Sequence, residues 1–168
     1  MAKYGICEAY NKGAARSKYS IVCFMHEDIY FHTLNWGQLV VEILADEKIG
    51  VLGVAGGTYV ADAPGSWNSC GSEYIVMQIQ HTVNGRTQLD RLVPEHGNLF
   101  PVAAVDGVWM CCRKAVWQDS PFDATVFPGF HFYDVDFCTR IFPTHQICVT
   151  TAVLIEHFSR GSYTELLV

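Results

Sequence analysis

From Tyr19 to Met25 the chain forms a short apolar run, and it stops at His26-Glu27-Asp28. A run of that length bounded by polar residues predicts a strand covered on both faces. Strands of that kind belong to open α/β sheets, in which ligands bind beyond the carboxyl ends of the strands. His26, Glu27 and Asp28 therefore fall where such a sheet carries chemistry. Being two apart, His26 and Asp28 project to one side of an extended segment.

The rest of the chain fits the same class. Residues 5–18 read as a helix ending in a small, polar stretch. A second helix is expected from Leu34 to Lys48, with Trp36, Leu39, Val40, Ile43 and Leu44 at helical spacing and Thr33 or Asn35 as its cap. Val51–Val54 is a second buried strand, and the strand–helix–strand order implies a parallel pair with a right-handed crossover. Ala55 to Ser72, rich in Gly, Ser, Ala and Pro, reads as a surface loop. Tyr74–Arg91, with Asn84-Gly85 as its turn, reads as a hairpin. Pro101–Val105 and Val108–Arg113 are strands around Asp106-Gly107. A helix is expected from His131 to Phe142, with Asp136 and Arg140 spaced for an i,i+4 pair. Val149–Glu156 is a last strand ending at His157. The architecture expected is α/β with a mixed sheet.

A chain of 168 residues is one domain with room for its own core. It is 50% hydrophobic and 17% charged, which argues against disorder. The net charge of -6 comes without a basic run, so nucleic acid is not an expected partner. No apolar run approaches bilayer-spanning length. The seven cysteines are odd in number and mostly set in apolar runs. They read as free, buried thiols of a reducing compartment, and the chain as cytoplasmic.

Three clusters invite chemistry. His26-Glu27-Asp28 offers an imidazole and two carboxylates to a divalent cation; the plainer reading is a solvated turn with a helix-capping Asp. Tyr133-Asp134-Val135-Asp136 follows Phe130, His131 and Phe132. Its acids serve a helix dipole, or one of them, set against aromatic rings, has its pKa raised as a general base requires. His131 and Asp134 would share a helical face, which adds metal ligation as a third reading. Glu156-His157-Phe158-Ser159 follows the last strand, where a lone His is usually structural. Gly53-Val54-Ala55-Gly56-Gly57 lacks the residues of a phosphate loop and reads as a strand-to-loop turn.

The order of the pieces adds to this. Ala9-Tyr10-Asn11-Lys12-Gly13-Ala14, Met25-His26-Glu27-Asp28, Val105 to Arg113, Phe130 to Phe137 and Glu156 to Ser162 follow one another through nearly the whole chain. In this order they resemble the family 2-type glycosyltransferases of the GT-A fold, in the branch related to a streptomycin-biosynthesis protein. The resemblance implies a GT-A-like mixed sheet flanked by helices, in a single domain over residues 1–168 of bacterial type. It also implies that the chain starts beyond the family's usual amino-terminal nucleoside-binding unit. An unpaired edge near Tyr19–Met25 would follow from that, with a homodimer as one way to cover it.

For the site, the resemblance implies that His26-x-Asp28 stands where the family carries Asp-x-Asp. Asp28 would be the principal ligand of Mn²⁺ or Mg²⁺, with His26 and His157 as further contacts. Asp134 matches the family's catalytic base. Asp106, Gly107, Asp136 and Trp109 fall on the donor and acceptor side, with Trp67 or Trp109 offering a face to a sugar ring. The implied partners are a nucleotide-sugar donor and a glycan or small-molecule acceptor. The rival expectations are a non-catalytic relative that has lost its donor site, and a metal-dependent hydrolase on His26, Asp28, Asp134 and His157.

Overall fold

Every residue of Ile49–Gly53 is buried, which happens when a strand has neighbours on both edges and side chains over both faces. In the computed structural model, which describes residues 4–61 and 65–159, this strand (β3) is the centre of the first of two sheets. The elements in chain order are α1 (Ile6–Arg16), β1 (Ile21–Met25), β2 (Ile29–Phe31), α2 (Trp36–Leu44), β3 (Ile49–Gly53), β4 (Ala55–Gly57), β5 (Ile75–Val83), β6 (Arg86–Leu92), β7 (Leu99–Val102), β8 (Ala104–Val105), β9 (Trp109–Arg113), α3 (Lys114–Asp119), α4 (Tyr133–Ile141), β10 (Gln146–Thr150) and β11 (Ile155–His157).

The first sheet has the order β1-β9-β3-β10-β7, and β10 runs parallel to β3 while β9 runs antiparallel to it. The second has the order β2-β11-β5-β4-β8, with β6 hanging on β5. It is likewise mixed, since β11 is parallel to β5 and antiparallel to β2. The α/β class and mixed sheet expected from the sequence are what the chain adopts.

Period-two alternation divides the core. Val22 and Phe24 of β1, with Met110 and Cys112 of β9, pack with Cys7, Phe137 and Ile141 from α1 and α4. On the other face Ile21, Cys23 and Met25, with Trp109 and Cys111, pack with Val40 and Leu44 of α2. Helices thus cover both faces of the first sheet, and β1 is buried through Val22 and Phe24 and partly covered on the side of Ile21, Cys23 and Met25. Each fully buried aliphatic or phenyl side chain, such as Leu52 or Phe137, contributes about 1.5–3 kcal/mol over leaving it exposed. As an edge strand, β1 pairs with β9 alone.

Several expectations change. β1 and β3 are not adjacent, because β9 enters between them, antiparallel to both. The glycine-rich start of the expected 55–72 loop is β4, wholly buried between β5 and β8. Its composition reflects crowding, since a Cβ on Gly56 would sit 2.4 Å from the Ala104 carbonyl oxygen. The expected last strand is two strands in different sheets. Thr150 Oγ1 takes the Ala152 N–H and donates to the Asn98 carbonyl, and Thr33 Oγ1 takes the Leu154 N–H. Those bonds bend the chain from β10 to β11. Asn35 does occupy the N-cap position of α2, but in left-handed conformation and without a side-chain cap bond.

The cysteines also differ from expectation. Cys23 and Cys111, directly opposite on β1 and β9, are joined by a disulfide with Cα atoms 4.2 Å apart. Antiparallel strands approach this closely at a non-hydrogen-bonded pair, where facing side chains meet. Cys7, Cys70, Cys112, Cys138 and Cys148 are free. Among the described residues no helix is long and apolar enough to cross a membrane.

Candidate active site and metal centre

Three strand ends, those of β1, β2 and β11, meet where the first sheet passes into the second. β1 delivers His26 just past its last residue, and the His26 N–H is held by the Val108 carbonyl at 3.0 Å. The tight connection to β2 carries Asp28, whose carbonyl takes the Phe158 N–H at 3.0 Å. Pairing of β11 with β2 then brings His157 opposite Ile29. One ligand atom from each of His26, Asp28 and His157 falls within 4.8 Å of the others. His157 is buried and Asp28 is half-exposed, so the cluster opens to solvent on the carboxylate side.

His157 Nε2 lies 3.2 Å from Asp28 Oδ1 and 3.1 Å from Ser159 Oγ. Burial lowers the pKa of His157, and the neighbouring His26 and His81 rings push the same way against Asp28. A neutral imidazole keeps a lone pair for a ligand. His26 is held from behind, where its Nε2 meets the Tyr133 hydroxyl at 3.3 Å and its ring packs on Phe130.

Tyr133 links this cluster to the second one. It opens α4 directly after Phe132, which is in left-handed conformation at φ 66°. A non-glycine residue there marks a constrained entry to the helix. Tyr133 is buried against Tyr10 and Phe122. Its hydroxyl also occupies the space above Gly107, where a Cβ would sit 2.0 Å from it. The room that Gly107 leaves is therefore filled by Tyr133.

Asp134, the next residue, accepts the Gly107 N–H at 3.0 Å through Oδ2 and the Val135 N–H at 2.9 Å through Oδ1. Desolvation, reinforced by the charge of Asp106, pushes its pKa up to about 7 despite those two bonds. Asp106 is fully engaged: Oδ1 accepts the Val108 N–H at 2.7 Å and Oδ2 accepts Trp67 Nε1 at 2.9 Å. Two carboxylates thus flank one glycine.

The remaining candidates lie elsewhere. Asp136 points away from the cluster, bonds Arg140 as the spacing anticipated, and lines a groove of about 760 Å³ with Tyr59, Phe127, Phe132 and Phe142. Trp109 is fully buried, edge-on to Phe31 and Trp36, so it offers no face to a sugar. Trp67 is nearly as buried and serves Asp106. His131 packs on Phe130 and Phe132 and stands outside the ligand cluster. Sequence reasoning missed the hold of Tyr133 on His26. The one signal was its place in a motif already singled out.

Comparison with known proteins bears on the fold and the family. The crystal structure of GalNAc-T7 with UDP, GalNAc and Mn²⁺ is similar with a TM-score of 0.64 at 9% identity, over 95% of this chain and 31% of that one. The crystal structure of A197 from STIV is similar with a TM-score of 0.51 at 14% identity, over 91% of this chain and 65% of that one. The chain therefore spans less than two thirds of either protein, and at such identities the likeness concerns the fold, which is GT-A-like. No curated protein matches in sequence. The sequence pattern of a known family does match, over residues 2–153, and by that match the chain belongs to the glycosyltransferase-like family.

Proposed function

We propose that the chain moves a sugar from a nucleotide-diphosphate donor to an acceptor hydroxyl, with inversion at the anomeric carbon. The observation that carries this reading is the convergence of His26, Asp28 and His157, one tyrosine away from a carboxylate with the proton affinity of a general base.

The donor set fits a divalent cation. Two imidazoles and a carboxylate suit Mn²⁺ better than Mg²⁺, which prefers oxygen alone. His26, Asp28 and His157 would hold it. When bound, the cation neutralises charge that builds on the departing diphosphate.

The other steps belong to the chain's own residues. Asp134 takes the proton of the acceptor hydroxyl as that oxygen attacks, and a pKa of about 7 places it close to the optimum for this task. The Gly107 N–H fixes one oxygen of Asp134, so the carboxylate meets the acceptor in one orientation. Tyr133 holds His26 in place. Trp67 holds the Asp106 carboxylate in place through its Nε1–H. The groove lined by Asp136, Tyr59 and Phe132 gives an acceptor glycan or small molecule both polar and aromatic contacts.

Calorimetric titration with UDP- and GDP-sugars, with and without Mn²⁺, tests this. Binding is expected only with Mn²⁺ and is expected to vanish in Asp28→Ala. A folded sample that binds no nucleotide sugar overturns the reading and leaves a binding domain without a donor site.

A further inference from the structure

A line of ring contacts leaves the cation cluster along the segment that leads into α4. The His157 and His26 rings are 5.5 Å apart, and Phe130 follows at 5.3 Å from His26. His131 stands edge-on to Phe130 at 5.8 Å, and Phe132 lies 6.4 Å beyond it. Phe132 then lines the groove shared with Tyr59 and Asp136. This aromatic ridge joins the cation cluster to the groove, and in the chain it comes just before Tyr133 and Asp134.

Two rings of the ridge are open to solvent. Phe130 keeps 55% of its surface exposed and Phe132 37%, whereas Phe24, Phe122 and Phe137 are buried in the core. A single exposed apolar residue needs no explanation, but a contiguous set beside a polar site marks a surface that meets a ligand. Phe130 is also fixed in position. It rests on His26, and the Tyr133 ring stands edge-on to it at 6.2 Å. Phe130 thus touches both a residue that would hold the cation and the neighbour of the carboxylate proposed as base.

Resting on the sugar-transfer reading above, we propose that Phe130 is a specificity-determining residue whose exposed ring packs against the apolar C–H face of the sugar being transferred. The chemistry sets the place. In that reading the cation engages the diphosphate and Asp134 the attacking hydroxyl, so the sugar carbon that changes partners lies between the two. Phe130 presents an apolar surface in contact with both sides of that gap. A pyranose ring has a face of C–H groups from which its hydroxyls turn away, and their slight positive charge suits the negative face of a phenyl ring. Removal of both apolar surfaces from water adds to the attraction. A bare nucleoside diphosphate has no sugar at this position and gains nothing from the contact.

The test compares UDP- and GDP-hexoses with bare UDP and GDP, by calorimetry in the presence of Mn²⁺. The wild-type chain is expected to bind a hexose nucleotide more tightly than the matching diphosphate. Phe130→Ala is expected to weaken the hexose nucleotide about 10–100-fold, as loss of a buried phenyl contact does, and to leave the affinities for the bare diphosphate and for Mn²⁺ as they were. Phe130→Trp should keep the preference. Phe130→Leu, which retains apolar packing on His26, carries the test if the alanine variant does not fold. An unchanged preference for the hexose nucleotide in the folded variants would overturn the inference, as would a wild type that binds hexose nucleotide and bare diphosphate alike; the donor site stands in both cases. Equal loss of Mn²⁺, diphosphate and hexose nucleotide would overturn it too, leaving Phe130 as a support for His26. If the wild-type chain binds no nucleotide in any form, the sugar-transfer reading fails and the inference with it.

Discussion

At the scale of single residues, Asp134 is the most informative group. A carboxylate loses water's stabilisation when protein surrounds it, and a second carboxylate nearby adds to the cost of charging it. Both conditions hold here, in that order of size. A base must be ionised to act, so kcat/KM for sugar transfer is expected to rise with pH and to level off above about 7. Asp134→Asn should lower kcat by about 10²–10⁴-fold and abolish that rise. The pH–rate profiles of the two proteins check both parts. A variant retaining the wild-type profile would assign the titration, and the base, to another residue.

At the scale of elements, the site depends on contacts between a turn and a helix. The β8–β9 turn packs against the start of α4 through Gly107 and Tyr133, leaving no space for one more carbon. Tyr133 cannot retreat, because Tyr10 and Phe122 stand behind it. Gly107→Ala is therefore expected to cost about 1–3 kcal/mol, as overpacking in a buried site does. Thermal melts would show it as a fall of several degrees, with weaker Mn²⁺ binding where His26 follows the displaced tyrosine. A melting point within a degree of wild type would mean that α4 shifts freely. The β5–β6 hairpin was legible from Asn84-Gly85, and both residues take the positive φ of a tight turn, 53° and 72°. What that turn sets across the strands, Asp90 against His81, was not.

At the scale of the whole molecule, two buried groups pull stability in opposite directions with pH. The Asp134 carboxyl keeps its proton up to about 7 when folded and loses it near 3.8 when unfolded. Between those values the folded state holds more protons, so this contribution declines as pH rises. His157 is the reverse: its folded pKa lies below 6.5, and its stabilisation fades as pH falls through that region. Melts from pH 4 to 8 should show Asp134→Asn gaining on the wild type as pH increases. A constant difference between the two would mean that Asp134 titrates alike in both states. The Cys23–Cys111 disulfide acts at this scale too. It ties β1 to β9 across 88 residues of sequence, and long closed loops are those whose unfolded state such a bond constrains most.

The sequence alone determined the class of fold. Apolar runs such as Tyr19–Met25 and helical spacing such as Trp36–Leu44 depend only on local periodicity and the need to bury one face. The polar stops were legible for the same reason: His26, Asp28 and His157 end apolar strands, and Asp134 follows a cluster of aromatic residues. Tertiary structure decided which of them meet. β9 enters between β1 and β3, and the chain after β10 bends into the second sheet through threonine hydroxyls. Strand order and sheet exchange are set by pairing between residues far apart in sequence, and local pattern carries no record of it. For that reason the tyrosine behind His26, the disulfide between Cys23 and Cys111, and the packing of Phe130 on His26 emerged only with the fold.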